Sequence, residues 1–116
     1  MSLLNTSSLL GREAIINFPD STAQVRYSPQ GMLLWTLIDG NGRISKGCER
    51  LSYLQLSDSL HFLNWVEKNG FIVSQVVDTL QGTVKACWSC AGDSPGTEPG
   101  TEPGATRFVV GRFRFC

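Results

Sequence analysis

The chain has 116 residues, and its ten basic and ten acidic side chains leave no net charge. This length predicts a single domain over residues 1–116 that is large enough to bury a core. Balanced charge without a cluster of Lys and Arg argues against a nucleic-acid partner. No apolar run approaches the roughly 18 residues that a membrane span requires, so no membrane partner is predicted either.

The N-terminus and the cysteines predict a cytoplasmic protein. Residues 1–11 lack both the basic start and the long apolar run of a secretory signal. Four cysteines without such a signal are typical of reduced thiols, not of a disulfide framework. Cys87 and Cys90 have the C-x-x-C spacing, but the chain lacks the helix of a redox site and the second cysteine pair of a zinc site. We therefore predict no metal and no cofactor.

Eight segments have the composition or alternation of β-strands, and turn signals separate nearly all of them. In chain order they are 12–18, 22–27, 32–38, 44–56, the two halves of 60–78, 83–89 and 106–115. Short connections between consecutive strands favour an all-β fold, a single eight-stranded antiparallel up-and-down barrel, with a two-sheet sandwich as the alternative. The interior of such a barrel is filled by side chains or holds one small ligand.

A tandem GTEP repeat separates the last two predicted strands. Residues 91–105 consist almost entirely of Gly, Pro, Thr, Glu and other small or polar residues. This composition buries too little apolar surface to offset the entropy of ordering, so it predicts a flexible loop.

The central hairpin is predicted around Asn69-Gly70, a dipeptide that suits the two positive φ angles of a type I′ turn. A two-residue loop would place Trp65 opposite Ser74 and Glu67 opposite Ile72. Strand alternation then puts four side chains on one face: His61, Leu63, Trp65 and Glu67. A carboxylate on this otherwise apolar face is predicted to lie in the core or in a ligand cavity.

Glu67 is therefore the candidate functional residue. Desolvation would favour its protonated form and suit it to general-acid work or to binding a polar ligand group. The alternative is an ordinary surface charge at the barrel rim, because Glu67 is close to the turn. His61, the only histidine, lies about 20 Å away along an extended strand, and we interpret it as structural.

Short motifs between Leu34 and Lys68 resemble those of the MoaF-type proteins. They include Trp35-Thr36, Lys46-Gly47 and Glu49-Arg50, together with the run NWVEK at 64–68. MoaF-type proteins are lipocalin-like barrels of the calycin group. The resemblance covers most of residues 11–89 and implies a calycin-type barrel.

The same layout resembles the bacterial phenolic acid decarboxylases, in which a Trp-x-Glu at the end of a central strand supplies the catalytic acid. Trp65-Val66-Glu67 matches this motif. The resemblance implies a lyase or isomerase with Glu67 as general acid or base. However, Ile16 and Phe18 stand where that family has a pair of tyrosines that hold the substrate carboxylate. Decarboxylation of a phenolic acid is therefore not expected, because the substrate would lack its orienting donors.

Together these observations predict a barrel that binds a small, mostly apolar or aromatic molecule in its interior, with Glu67 as the polar anchor. The predicted lining is Trp35, Leu63, Trp65, Glu67 and Ser74. An enzyme that uses Glu67 and an interaction module with a filled interior are the competing classes. A homodimer that covers the open end or the Phe-rich last strand is the predicted protein partner.

Overall fold

The computed structural model describes residues 7–90 and 106–116, so the predicted flexible loop at 91–105 lies outside the described residues. The described part of the chain is all-β, as predicted, and it holds no helix that is long and apolar enough to cross a membrane. Its nine strands are β1 (Glu13–Phe18), β2 (Ser21–Tyr27), β3 (Met32–Asp39), β4 (Ile44–Arg50), β5 (Ser52–Gln55), β6 (Leu60–Val66), β7 (Phe71–Asp78), β8 (Thr83–Cys90) and β9 (Thr106–Phe115).

The strands form one antiparallel sheet in the order β4-β3-β2-β1-β9-β8-β7-β6-β5. The two edge strands, β4 and β5, are consecutive in the chain, and β4 contacts β6 across the gap between them. The sheet therefore curls into a nearly closed barrel with a seam at β4 and β5. This confirms the predicted antiparallel up-and-down barrel.

The barrel has nine strands instead of eight because the predicted strand 44–56 breaks at Leu51. The Leu51 side chain is buried, and its backbone N–H donates to the Gly31 carbonyl at 2.9 Å. The segment before the break pairs with β3, and the segment after it pairs with β6. The single predicted strand thus supplies both edges of the seam.

The central hairpin has a three-residue loop, so the predicted register is wrong by one residue. The Glu67 N–H donates to the Phe71 carbonyl at 2.8 Å, and the Gly70 N–H donates to the Glu67 carbonyl at 2.9 Å. Gly70 has a φ of 89°, the left-handed conformation that ends such a loop. Ser74 consequently lies opposite Asn64. A one-residue shift exchanges the two faces of β7, and Ser74 faces outward.

The N-terminal segment covers one end of the barrel. Leu9 is fully buried, and its backbone N–H donates to the Tyr53 hydroxyl at 3.1 Å. The Gly11 N–H donates to the Tyr27 carbonyl at 2.6 Å, and the Gln55 amide donates to the Ser7 hydroxyl at 2.8 Å. These bonds hold the segment across the end of the barrel that Tyr27 and Tyr53 share.

Candidate functional site

A cavity of about 540 Å³ runs along the barrel interior. It extends from Tyr27 and Leu33, near the covered end, to Glu67 and Arg107 at the opposite end. Most of its wall is aromatic or aliphatic, contributed by Ile16, Phe18, Ala23, Val25, Trp35, Leu37, Trp65, Phe71, Val73 and Trp88. This volume and this apolar wall are typical of a site for one small organic molecule, about 300–1,000 Å³.

Glu67 lies at the mouth of this cavity and is neither fully buried nor exposed. The Trp65 indole N–H donates to its Oε2 at 3.2 Å. Burial raises the pKa of Glu67 above its ordinary value, the negative charge of Glu49 raises it further, and the bond from Trp65 opposes both effects. Glu67 is therefore a partly buried carboxylate beside an apolar chamber.

Glu49 is a second carboxylate inside the barrel, which the sequence analysis missed as a site residue. It lies on β4, is only 7% exposed, and its Oε2 accepts the Trp35 indole N–H at 3.1 Å. Its negative charge contributes to the raised pKa of Glu67. Two tryptophans thus each hold one carboxylate. Strand alternation could have indicated Glu49, because it shares the inner face with Leu51.

Of the five predicted lining residues, the structure places three at the cavity: Trp35, Trp65 and Glu67. Leu63 is on the predicted inner face, but it has no exposed surface and belongs to the packed core. Ser74 is misplaced in the prediction, because the hairpin register turns it outward, where its hydroxyl accepts the Asn64 amide N–H at 2.9 Å.

Two further polar residues line the cavity and were missed as site residues. Gln75 replaces Ser74 on the inner face of β7 and is 7% exposed. Arg107 lies at the mouth, where its guanidinium is 3.8 Å from the Asp20 carboxylate and 5.7 Å from the centre of the Trp88 ring. The alternation of Gln75 with Val73 and Val77 could have indicated that Gln75 lies on the inner face. No local pattern indicated Arg107, because its position depends on the pairing of β9.

His61 lies in the core near the covered end, as expected for a histidine with a structural role. It has no exposed surface, and its Nδ1 is 2.7 Å from the Tyr53 hydroxyl. Its ring stacks on Tyr53 at a centroid distance of 5.8 Å. Burial lowers the pKa of His61 below its ordinary value of 6.5. Within residues 7–90 and 106–116, neither His61 Nε2 nor the buried Tyr27 hydroxyl has a hydrogen-bond partner.

We expect His61 to make the fold acid-sensitive. Because its pKa is lowered in the folded state, its neutral form contributes stability above pH 6.5 that is lost as the pH falls through and below that value. His61→Phe keeps a ring against Tyr53 and should remove this loss. Thermal unfolding at pH 7.5 and 5.0 measures this loss, with Gln81→Met as the control, because Gln81 is exposed and this change retains the histidine and removes no titratable group. An equal drop in midpoint for wild type and His61→Phe would contradict the assignment.

The fold is similar to that of a solved protein from Burkholderia vietnamiensis described as a "putative beta-lactamase". The two structures align with a TM-score of 0.76 over 93% of this chain and 95% of that chain, at 16% sequence identity. At this identity the likeness shows a shared fold. No match was found among curated proteins.

A family model gives the more specific result. The MoaF-like model matches residues 10–101, which include β1 to β8 and both Trp–Glu pairs. The match covers most of the chain, and the barrel has the architecture that the sequence motifs implied. The chain belongs to the MoaF-like family.

Proposed function

We propose that this barrel binds one small, mostly apolar molecule in its interior, with Glu67 as the polar anchor at the mouth. The observation that supports this most is the cavity of about 540 Å³ inside an otherwise packed barrel. Protein interiors are close-packed, and apolar voids much larger than a water molecule are rare. An apolar-walled space of this size that reaches the barrel end is better explained as a binding site than as a packing defect.

The side chains that line the cavity indicate the kind of ligand. Phe18, Trp35, Trp65 and Trp88 present ring surfaces to the cavity, and flat aromatic molecules pack well against such rings. The Glu67 carboxylate accepts hydrogen bonds when ionised, so it suits a ligand whose outer end carries a hydroxyl or an amine. We therefore propose an aromatic or alicyclic body with one donor group near the mouth.

The second candidate function is a lyase or isomerase that uses Glu67 as general acid or base. Two observations favour it: the raised pKa of Glu67 and the nearby carboxylate of Glu49. A raised pKa brings a carboxyl closer to the operating pH of an acid–base catalyst. Arg107, at the same mouth, is a cation that could stabilise negative charge developing in the substrate. Ile16 and Phe18 line the cavity without hydroxyl groups, so a phenolic acid decarboxylase remains unexpected.

We also propose that the protein acts in the cytoplasm, as its N-terminus and cysteines predict. We further propose that it forms a homodimer. Phe108 and Val110 lie on the outer face of β9 and are 78% and 58% exposed. Apolar side chains clustered on one strand are typical of a protein–protein contact surface. A second copy of the chain is the partner that we expect there.

The ligand-binding proposal is tested by filling the cavity. Ala23 lines it and is 7% exposed, so Ala23→Phe should place a ring inside the binding space. We expect wild-type protein to bind one molecule of the neutral fluorophore N-phenyl-1-naphthylamine per chain, and Ala23→Phe to weaken this binding at least tenfold. Fluorescence titration measures both.

The matched control is Gln24→Phe, which places the same side chain on the exposed face of the same strand and should bind the fluorophore like wild type. Circular dichroism checks that both variants keep the β-fold. Equal affinity of Ala23→Phe and wild type, or no saturable binding by wild type, would contradict the proposal.

A further inference from the structure

Gln75 is a polar side chain in an apolar position. It lies in the middle of β7, opposite Leu63 on β6 and Ala86 on β8, which are 0% and 2% exposed. On its own strand the flanking inward residues are Val73 and Val77, which are also buried. These four nearest neighbours are all hydrocarbons, and a valine at position 75 would continue the pattern; the nearest polar side chain on β6 is His61, opposite Val77.

The Gln75 amide faces the cavity without a protein partner. The residue is 7% exposed and lines the cavity, and none of the hydrogen bonds among residues 7–90 and 106–116 involves its side chain. An amide removed from bulk water and left unpaired destabilises the protein, so buried amides are almost always hydrogen-bonded. In the described part of the chain the fully enclosed unpaired polar atoms are His61 Nε2 and the Tyr27 hydroxyl, so the Gln75 amide is open to the cavity and its partner would be whatever occupies that space.

We propose that Gln75 recognises the inserted end of the ligand, and that this end carries an uncharged hydrogen-bonding group such as a carboxamide or a lactam. This inference rests on the proposed binding function and specifies its ligand. A primary amide offers both a donor and an acceptor, so a group that also has both can make two bonds with it. An ionic group is unsuited to the inner end, because an ion among hydrocarbon neighbours is strongly disfavoured unless it is paired. Arg107, the cation that lines the cavity, lies at the mouth.

The two polar groups also set the length of the ligand. Glu67 pairs with Phe71 at the end of the hairpin, and Gln75 is four residues further along β7, roughly 13 Å at 3.3 Å per residue. The aromatic wall between them includes Trp65 and Trp88. The inferred ligand therefore has an aromatic body of about two rings, with a neutral amide-like group at its inner end.

Matched probes test this inference. 2-Naphthamide and 2-isopropenylnaphthalene have nearly the same shape, but only the first can hydrogen-bond, and 2-naphthoate adds a charge. We expect wild type to bind 2-naphthamide at least tenfold more tightly than either of the others, as measured by quenching of tryptophan fluorescence. Gln75→Met keeps the side-chain length and should reduce the preference for the amide over the hydrocarbon to about one. Its affinity for the hydrocarbon should be equal to that of wild type or higher.

Gln81→Met is the matched control, because Gln81 is exposed in the turn after β7, and it should keep the preference for the amide. Circular dichroism checks the fold of both variants. If Gln75→Met still prefers 2-naphthamide, or if wild type binds the hydrocarbon as tightly as the amide, the inference about Gln75 is wrong while interior binding stands. If neither neutral probe binds wild type, interior binding of aromatic molecules and the inference fail together.

Discussion

Replacing Gly47 with alanine is expected to destabilise the protein by about 1–3 kcal/mol, the usual cost of an extra methyl group in a filled space. Gly47 lies opposite Trp35, and a Cβ on it would stand 2.4 Å from Cζ2 of the indole. The ring would have to move, which would break the bond from Trp35 to Glu49. Glu49, only 7% exposed, would then be a buried carboxylate without its donor, which adds to the cost.

Urea unfolding measures the loss of stability, and tryptophan emission reports the displaced indole. The control is Gly40→Ala, where the nearest atom to an added Cβ is 3.6 Å away, an ordinary contact distance. We expect that variant to stay within about 0.5 kcal/mol of wild type, as most surface substitutions do. A Gly47→Ala protein with the stability and emission of wild type would show that Trp35 is not held over this glycine.

Replacing Glu67 with glutamine is expected to weaken the binding of 1-naphthylmethylamine at least tenfold, since a charge-assisted bond to a carboxylate is much stronger than one to a neutral amide. Stability should change in a pH-dependent way. The pKa of Glu67 is raised in the folded state, so its contribution to stability is fully present below its unfolded value near 4.5 and is lost as the pH rises through the folded value. The free energy of unfolding of Glu67→Gln should therefore rise relative to that of wild type as the pH increases from 4.5 to 7.5.

Calorimetric titration with the amine and urea unfolding at both pH values measure these effects. The control is Glu13→Gln, because Glu13 is exposed on β1 and its oxygen is 3.9 Å from Arg26. That variant should match wild type in amine binding. A carbon-13 NMR titration of the Glu67 carboxyl tests the same site directly. A pKa at the ordinary glutamate value would contradict its role as a desolvated anchor and as a general acid.

Strand positions were predictable from the sequence, because alternation and turn residues act locally. The last strand, 106–115, and the two strands of the hairpin were located within a few residues. The break at Leu51 was not predictable, because the alternation of side chains continues through it. The segment divides because its first part pairs with β3 and its second part pairs with β6. This division depends on how the barrel closes, which a local pattern does not show.

The site was harder to predict because a one-residue shift in the pairing of β6 with β7 changes which side chains face the interior. Asn69-Gly70 is compatible with a two-residue loop and with the three-residue loop that forms. The strand after the loop has apolar residues on both faces, with Ile72 and Val76 on one and Val73 and Val77 on the other. Hydrophobicity therefore did not select the register, and the prediction assigned Ser74 to the interior in place of Gln75.

Contacts between distant strands were beyond sequence reasoning for a different reason. Glu49 lies on β4, and its effect on the pKa of Glu67 crosses the gap between β4 and β6. Arg107 reaches the mouth because β9 inserts between β1 and β8. Each of these neighbours follows from the order of strands around the barrel, which the sequence pattern restricts but does not determine.

The central claim, that the barrel interior holds a small molecule, is tested most directly by native mass spectrometry of the protein purified from its own host. We predict a species heavier than the 12.7 kDa chain by the mass of one organic molecule. The extra mass should disappear on denaturation and should be absent from Ala23→Phe purified in the same way. A wild-type protein that shows only the bare chain mass under native conditions would contradict the claim.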